Sequence, residues 1–262
     1  MLEVVDLRKT YGHGADAVPA IGGLSFRVEK KEFVCVVGPS GCGKTTTLKC
    51  LSGLLRATAG EVRLLGESVD APPPEMALVF QDYGRSLFPW LTVRGNVELP
   101  LLSKGIGRAE RGRLVGEALD AVGLGDALER YPWQLSGGMQ QRAAIARALA
   151  YQPEILLLDE PFASVDAQTR ADLEDLVLRV RQEFGVTVLL VTHDIDEAVY
   201  LADRVVVLTP APTRVREIVT VPLSRPRDQV GTKGHPEFAR LRTQVYQMIN
   251  SGDDVAPASL AG

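Results

Sequence analysis

One stretch near the start of the chain has the glycines, the lysine and the hydroxyl that phosphate binding requires. It fits the pattern G-x-x-x-x-G-K-[ST] and comprises Gly38, Pro39, Ser40, Gly41, Cys42, Gly43, Lys44 and Thr45, with Thr46 following. Glycines let consecutive backbone N–H groups point inward around the β- and γ-phosphates of a nucleotide, and Lys44 adds a positive charge there. The Thr45 hydroxyl is placed to hold Mg²⁺. Cys42 fills a free position of the pattern, so we assign it no redox role.

A second candidate group is a pair of carboxylates, Asp159 and Glu160, at the end of an apolar run over residues 155–158. In a protein with a phosphate-binding loop, the acid that ends such a strand helps to hold Mg²⁺, and here that acid is Asp159. The next residue, Glu160, can polarise an attacking water as a general base. Many strands end in acids, so it is the combination with the loop at 38–45 that predicts nucleotide hydrolysis.

A third stretch, LSGGMQQR at residues 135–142, precedes a run of strong helix formers at 143–149. Two glycines behind Ser136 leave the first N–H groups of this helix approachable, and such a helix N-terminus binds anions. The alternative is an ordinary N-cap serine. Because the phosphate-binding loop lies far upstream, these residues alone do not say which anion the helix would hold.

Short apolar runs rich in branched residues must form the framework that positions these groups. They occur at residues 33–37, 76–80, 155–158, 187–191 and 205–208, with helical stretches between several of them. This alternation predicts a mostly parallel sheet covered by helices. The run at 33–37 leads directly into the phosphate-binding loop, and a helix is predicted over 45–55.

Residues from about 91 to 150 show helix signals and no convincing strand, which predicts a helical subdomain inserted in the α/β core. Leu114, Ala118, Leu119 and Val122 recur at helical spacing. Gly123 then supplies a C-terminal stop, with Leu124 placed to fold back over it, and Asp126 is predicted to cap a short helix.

After Pro210 the sequence changes character again. A surface strand is predicted over residues 213–221, followed by loops. An apolar stripe predicts a C-terminal helix that packs on the body, formed by Phe238, Leu241, Val245, Met248 and Ile249. We therefore expect a main domain at 1–210, a C-terminal extension at 211–251 and a disordered tail at 252–262.

Bulk composition limits the function further. The chain has 262 residues, 45% hydrophobic and 24% charged, with a net charge of −4, so bulk charge does not favour nucleic-acid binding. Three cysteines without framework spacing are typical of a reducing compartment. We see no signal peptide at the first residues, and no apolar run approaches the roughly 20 residues that span a bilayer.

Five motifs together resemble the nucleotide-binding subunit of ABC transporters, in the family's order and over residues 2–210. They are the loop at 38–45, LSGGMQQR, LDEP at 158–161, SVDA at 164–167 and Thr192-His193. The resemblance implies a P-loop NTPase core with a mostly parallel sheet, an antiparallel β portion and an inserted helical subdomain. It also implies ATP hydrolysis with Mg²⁺. Val165 departs mildly from the leucine that is commoner in the family.

In this family two subunits pair head to tail, which suggests the anion for the helix at residue 136. By resemblance, Ser136, Gly137 and Gly138 would cap the γ-phosphate bound at the other subunit's phosphate-binding loop. Asp166 would lie in a loop that communicates between the two sites. The dimer would thus hold two ATP molecules at its interface.

The resemblance also implies roles for three further side chains. Tyr11 would stack on adenine, although an edge tyrosine is the plainer interpretation. Gln81 would sense Mg²⁺ and the attacking water, and so joins Thr45 and Asp159 as a metal-binding residue. His193 would contact the γ-phosphate, although a lone histidine at a strand end is usually structural. The expected catalytic residues are therefore Glu160, His193 and Gln81.

The segment at residues 81–93 resembles the surface that receives a helix of the transmembrane permease subunit. Leu87, Phe88, Trp90 and Leu91 would line this groove, with core packing as the alternative.

The stretches FPWLTV at 88–93, THDIDEA at 192–198 and LSRPRD at 223–228 resemble the nitrate, sulfonate and taurine importers. This implies a bacterial importer with a permease and an extracytoplasmic solute-binding protein, and a peripheral location on the cytoplasmic face of the inner membrane. Rival interpretations are a non-transport ABC ATPase, an ordinary P-loop kinase or GTPase, and a non-hydrolysing scaffold.

Overall fold

Strands and helices alternate along most of the chain. The structure is a computed structural model and describes residues 1–81 and 86–250. Its strands are β1 (Leu2–Tyr11), β2 (Val18–Val28), β3 (Phe33–Val37), β4 (Ala59–Leu64), β5 (Glu67–Ser68), β6 (Met76–Val79), β7 (Ile155–Asp159), β8 (Thr187–Val191), β9 (Arg204–Leu208) and β10 (Thr213–Thr220). The helices are α1 (Lys44–Leu51), α2 (Val93–Glu98), α3 (Arg108–Ala121), α4 (Gly137–Ala150), α5 (Ala167–Phe184), α6 (Ile195–Leu201) and α7 (Pro236–Asn250).

The strands described form one sheet of ten in the order β5-β4-β1-β2-β10-β9-β3-β8-β7-β6. The stretch from β9 to β6 is parallel, whereas β5, β4, β1 and β2 pair antiparallel. Strand β3 is buried on both faces: Phe33 and Cys35 enter one core cluster, and Val34 and Val36 enter the other. This is the α/β fold with an antiparallel portion that the sequence predicted.

The carboxyl ends of the parallel strands lie along one edge of the sheet. The phosphate-binding loop follows β3, Glu160 follows β7 and His193 comes two residues after β8. Gln81 follows β6 in the same way. The strand order therefore brings to one edge four groups that are far apart in sequence, as expected for ligand sites of open α/β sheets.

The region from residue 91 to 150 is helical in the structure, as predicted. Gly123 adopts a left-handed conformation with φ of 71°, and Leu124 N–H donates back to the carbonyl of Leu119 at 2.8 Å. The prediction for Asp126 was wrong. The short turn there is a 3₁₀ helix over Gly125–Ala127 whose N-cap is Leu124, because the chain leaves the stop at Gly123 already turning.

The segment after residue 210 differs from the sequence prediction at one point. Strand β10 forms where predicted and keeps most of its side chains exposed or half-buried, but it is not at the margin of the fold: it pairs with β9 antiparallel and with β2 parallel, so it joins the two parts of the sheet. A boundary at residues 210/211 would therefore cut through the sheet. Helix α7 buries Phe238, Leu241 and Val245 against the body, as the apolar stripe predicted.

Two expectations concern residues at the margins of the description. The tail predicted to be disordered, 252–262, lies outside the described residues, as do residues 82–85 of the expected permease-binding segment. In the part of the chain that is described, none of the helices has the length and apolar character needed to cross a bilayer.

Candidate active site

The phosphate-binding loop lies between β3 and α1 and forms one wall of a cavity of about 490 Å³. Gly43 is the N-cap of α1 and has a φ of 97°, a conformation that a side chain would strain, and it leaves the helix start without a side-chain cap. The Lys44 ammonium donates to the carbonyls of Gly38 at 2.9 Å and Pro39 at 3.1 Å. The lining comprises Ser40, Gly41, Gly43, Lys44, Thr45, Thr46, Glu160 and His193.

Two members of the loop differ in what surrounds them. The Lys44 side chain is 7% exposed, which places its charge in a site with little water, where it acts strongly on a phosphate. Cys42 is buried behind the loop, and this burial raises the pKa of its thiol. A buried thiol of this kind is unreactive, in keeping with the absence of a redox assignment.

Asp159 meets the phosphate-binding loop from the end of β7. The Thr45 hydroxyl donates to Asp159 Oδ1 at 3.4 Å. Burial raises the pKa of Asp159, and the neighbouring Glu160 raises it further, while the hydrogen bond from Thr45 and the charges of Lys49 and Lys44 act in the opposite direction. The site therefore contains a buried carboxylate whose charge is incompletely compensated, next to a hydroxyl.

Glu160 is the point where three expected catalytic side chains meet. Its carboxylate Oε2 lies 3.0 Å from His193 Nδ1 and accepts a hydrogen bond from Gln81 Nε2 at 3.4 Å. Its backbone has a φ of 43°, a strained conformation for a residue other than glycine, and its N–H donates to the carbonyl of Val191 at 2.8 Å. The carboxylate is thus held between two strand ends and aimed into the cavity.

Tyr11 reaches the same region from the end of β1. Its hydroxyl is 3.2 Å from the Thr46 hydroxyl, and Lys9 Nζ lies 5.4 Å from the centre of its ring. The side chain is exposed, so the rest of the ring is free to receive a flat ligand. This placement beside the phosphate-binding loop suits a nucleotide base.

The helix start at residue 136 lies elsewhere. Ser136 is the N-cap of α4, and its hydroxyl accepts from the N–H of Met139 at 3.3 Å. The N–H groups of the first turn have no partner within a helix, and at this helix start Ser136 and Gly137 are exposed and Gly138 is half-buried. None of Ser136, Gly137 or Gly138 lines the cavity that contains Lys44. One chain therefore does not bring together the two candidate phosphate sites.

Asp166 lies next to this helix start, in a different setting from the cavity. It is the N-cap of α5, and its carboxylate accepts from the N–H of Thr169 at 3.0 Å and from the Thr169 hydroxyl at 2.7 Å. A Cβ on Gly138 would lie 2.5 Å from Thr169 Cγ2. The starts of α4 and α5 thus pack against each other, and the second glycine of LSGGMQQR is required by this contact within the chain.

Sequence reasoning missed a buried polar network that holds the residues around His193. The Thr192 hydroxyl donates to Glu197 Oε2 at 2.6 Å and accepts from the N–H of Asp194 at 3.0 Å. Arg170, near the start of α5, has its Nη1 3.4 Å from Asp194 and its Nε 3.7 Å from Glu197. The signal in the sequence is Asp194, an N-cap residue directly after His193, but the partner on α5 could not be inferred from it.

Glu197 is a buried carboxyl of this network whose pKa is strongly shifted. Its pKa is raised to about 7, mainly by burial and also by Asp194 and Glu174, while the hydrogen bond from Thr192 and the charge of Arg170 act in the opposite direction. The side chain is almost completely buried. The network links the start of α5, beside Asp166, to the strand end that carries His193.

The segment expected to receive a permease helix divides into two parts. Leu87 is buried in the main core, so the core interpretation is right for that residue. Trp90 is 69% exposed, with its ring centre 5.2 Å from that of Phe88. Asn96 fixes the turn between them and α2, because its side chain donates to the carbonyls of Phe88 and Leu91, both at 3.1 Å. The exposed Trp90, held on this turn against the half-buried Phe88, remains available to a partner.

Comparison with known proteins agrees with this geometry. Residues 21–163 match the family model described as ABC transporter. The nitrate import ATP-binding protein NrtD of Synechococcus elongatus is 41% identical over 92% of this chain and 88% of its own length. The bicarbonate transport ATP-binding protein CmpC of Synechocystis is 44% identical over 88% of this chain, which spans 35% of that longer protein.

A solved structure extends the match to three dimensions. The dimeric ATP-binding cassette MJ0796, in a post-hydrolysis state with ADP and Pi, superposes with a TM-score of 0.74 and 33% identity, over 84% of this chain and 99% of that one. Sequence motifs, fold and cavity therefore agree with one another. The chain belongs to the ABC transporter family, as one of its ATP-binding, ATP-hydrolysing subunits.

Proposed function

We propose that this protein is the ATP-hydrolysing subunit of a bacterial importer that takes up nitrate, a sulfonate, taurine or a related small solute. The observation that carries the hydrolytic role is the convergence of Lys44, Glu160 and His193 on one cavity. The solute class has weaker support, from relatives named for nitrate import and for bicarbonate transport. Solute contacts lie in other subunits, so this chain need not record them.

The proposed mechanism divides the work among the residues at the edge of the sheet. The N–H groups of residues 39–45 and the Lys44 ammonium bind the β- and γ-phosphates. Glu160 takes a proton from the attacking water, which raises that water's reactivity toward the γ-phosphate. His193 and Gln81, both within reach of the Glu160 carboxylate, orient this group and contact the γ-phosphate and the water.

The residues at the end of β7 fit a magnesium ion. Thr45 and Asp159 present a hydroxyl and a carboxylate oxygen side by side, and oxygen donors are those that Mg²⁺ prefers. Burial raises the pKa of the Asp159 carboxyl, and a cation held here would favour its charged form. When bound, Mg²⁺ would neutralise charge on the phosphate oxygens. Gln81 completes the proposed set.

The exposed start of α4 supports a head-to-tail dimer. Ser136, Gly137 and Gly138 would reach the γ-phosphate held by the other chain's Lys44, so that two ATP molecules lie between two copies. Asp166 would lie in the same interface, because the start of α5 packs on the start of α4. A solved relative of this fold is dimeric, which agrees with the proposal.

The proposed partners beyond the dimer are a permease and, indirectly, an extracytoplasmic solute-binding protein. The permease would be contacted through residues 81–93, where the exposed Trp90 ring lies against the half-buried Phe88. Closure of the dimer on ATP would move this surface and drive transport. The protein would then lie peripherally on the cytoplasmic face of the inner membrane.

The decisive test of the hydrolytic mechanism is Glu160→Gln. We expect turnover to fall by about 100-fold or more, because the general base is lost, while ATP affinity stays unchanged. The variant should also accumulate as a dimer with ATP and Mg²⁺, measured by light scattering after size exclusion. Glu183→Gln on the exposed side of α5 makes the same charge change outside the site and should behave as wild type. A Glu160→Gln chain that stays monomeric would refute the sandwich.

The solute is tested separately by growth of a strain that lacks the gene. Taurine or an alkanesulfonate serves as sole sulfur source in one arm, and nitrate as sole nitrogen source in another. A defect on one source that the wild-type gene repairs and the Glu160→Gln form does not would identify the solute class. Normal growth on every source would remove the assignment to this importer group and leave the ATPase intact.

A further inference from the structure

A second cavity, of about 690 Å³, lies at the opposite edge of the sheet from the phosphate-binding loop. Its walls are the C-terminal end of α5, the turn before β3 and the segment that follows β10. The turn and the helix end adjoin the amino ends of β3 and β8, five residues each, so the sheet separates the two cavities by roughly 16 Å. A ligand here would not touch the nucleotide.

Positive charge is concentrated in this cavity. Five cationic side chains line it: Lys31, Arg179, Arg181, Arg225 and Arg227, against the carboxylate of Asp175. The chain as a whole carries a net charge of −4, so this local excess of positive charge is opposite in sign to the charge of the whole chain. Asp175 is already engaged, because it accepts hydrogen bonds from Tyr200 at 2.6 Å and from Gln229 at 2.9 Å.

The acids nearby do not neutralise these cations. Asp203 is shared by Arg181 at 2.7 Å and Arg225 at 2.6 Å. Arg179 and Arg227 instead donate to backbone carbonyls, those of Ala121 at 3.1 Å and Tyr200 at 2.7 Å. A carbonyl satisfies an N–H group but carries no net charge, and within the described residues neither of these two guanidinium groups forms an ion pair.

Among these five cationic side chains, Arg227 is the most unusual in its burial and hydrogen bonding. It is 9% exposed, and its Nε has no hydrogen-bond partner within the described residues. Burial, and after it the neighbouring Arg225, lower its pKa to about 10. A buried, incompletely bonded guanidinium costs free energy unless an anion compensates it. The stem of Lys31 lies across the opposite wall, where a Cβ on Gly185 would be 3.6 Å from its Cε.

We propose that this cavity binds a small free oxyanion, such as sulfate, between Arg179, Arg225 and Arg227. Guanidinium groups bind tetrahedral and planar oxyanions through paired N–H groups, and each of these three carries five N–H donors, more than Asp203 and the backbone carbonyls accept. The site is independent of the importer assignment, since none of its residues lines the nucleotide cavity.

The test is calorimetric titration of sulfate into the full chain, with ionic strength held constant by chloride. The protein is first saturated with a non-hydrolysable ATP analogue and Mg²⁺, which occupies the phosphate-binding loop and prevents sulfate from binding there. Wild-type protein should show one binding event per chain. Arg179→Gln should weaken it about tenfold through loss of a charge-assisted contact. Arg240→Gln, the same change at an exposed ion pair on α7, should leave it unchanged.

Arg179 is chosen because it is exposed and its replacement does not empty a buried position. Arg227→Met should abolish binding if the variant folds, and the Arg179 variant decides the question if it does not. Crystals soaked in selenate should show an anomalous signal within hydrogen-bond distance of Arg227. The proposal is overturned if wild-type protein takes up no sulfate beyond the chloride control, or if Arg179→Gln binds as tightly as wild type.

Discussion

The starts of helices α1 and α4 are built for the same chemistry in opposite settings. The start of α1, at Gly43 and Lys44, opens into a cavity that also contains Glu160 and His193 of the same chain. The start of α4, at Ser136, has one donor occupied by its own serine hydroxyl and does not line the cavity that contains Glu160 and His193. One helix start is surrounded by reactive groups, and the other is presented outward.

This difference teaches that a single chain folds all the parts of an ATPase site but keeps two of them apart. The α1 site can bind a nucleotide without help, because its loop, lysine and carboxylates are already in place. The α4 site has the geometry of an anion site, and the phosphate that it would bind is the one held by the other chain. We therefore expect binding to be a property of the monomer and hydrolysis a property of the dimer, and the following predictions test that division.

The largest effect is expected at the α1 side, from Lys44→Ala. Loss of a buried ammonium at the phosphates should weaken ATP binding on the order of 1,000-fold, measured by titration calorimetry. Lys49→Ala, on the same helix but outside the cavity lining, is the matched control and should change affinity little. Unaltered affinity in the Lys44 variant would contradict the assignment of the loop.

Ser136→Arg tests the α4 side. A long cation at the helix start should keep this helix from the phosphates held by the other chain's loop, and turnover should fall about 100-fold while monomer affinity for ATP stays within about twofold. Mixing this variant with Lys44→Ala is the sharper measurement, because a mixed dimer keeps one site with both parts intact. We expect the mixture to recover about a quarter of wild-type turnover if the two sites act independently. No recovery would remove the role in trans.

A pH-dependent effect is expected at the network between the two sides. The folded chain holds the Glu197 proton up to a pKa of about 7, whereas the unfolded chain releases it near 4.5, so stability is lost as pH rises between these values. Glutamine does not ionise, so the Glu197→Gln variant does not lose this part of its stability as pH rises. Its free energy of unfolding relative to wild type should rise by about 2 kcal/mol between pH 5 and pH 8, measured by urea unfolding. A constant difference across this range would show that Glu197 is not held protonated.

The smallest effect is expected from Gly138→Ala. The new methyl group would meet Thr169 Cγ2, which cannot rotate away because the Thr169 hydroxyl is bonded to Asp166. Stability should fall by about 1–2 kcal/mol, as for a forced contact in a packed region. Adding Thr169→Ser removes Cγ2, keeps the hydroxyl and should restore the unfolding midpoint. If the double variant stays destabilised, the contact between the two helix starts is not the cause.

The parts of the fold that follow from local pattern could be predicted. The apolar runs, the loop at 38–45 and the left-handed stop at Gly123 each depend on neighbours within a few residues, so sequence alone predicts them. The position of β10 could not be predicted, because its partners β2 and β9 lie at different sequence distances and the pairing depends on the assembled sheet. A half-buried strand of mixed polarity is easily taken for a surface strand.

The same distinction applies to the site. Lys44, Asp159, Glu160 and His193 were expected from motifs, and the structure brings them to one edge of the sheet, while their roles remain proposals. The contacts of Arg170 with Asp194 and Glu197 could not be anticipated, because they depend on how α5 lies against α6. Leu87 was misjudged in part for a similar reason, since burial of a loop residue is decided by what covers it.

The place of β10 in the sheet has a consequence for how the chain is made. The edge of β2 stays unpaired on that side until β10, which ends at Thr220, has left the ribosome. At about 5–20 residues per second, the nascent chain carries this open strand edge for on the order of ten to forty seconds. Open strand edges are where chains aggregate, so this interval is when the growing polypeptide most needs protection by chaperones.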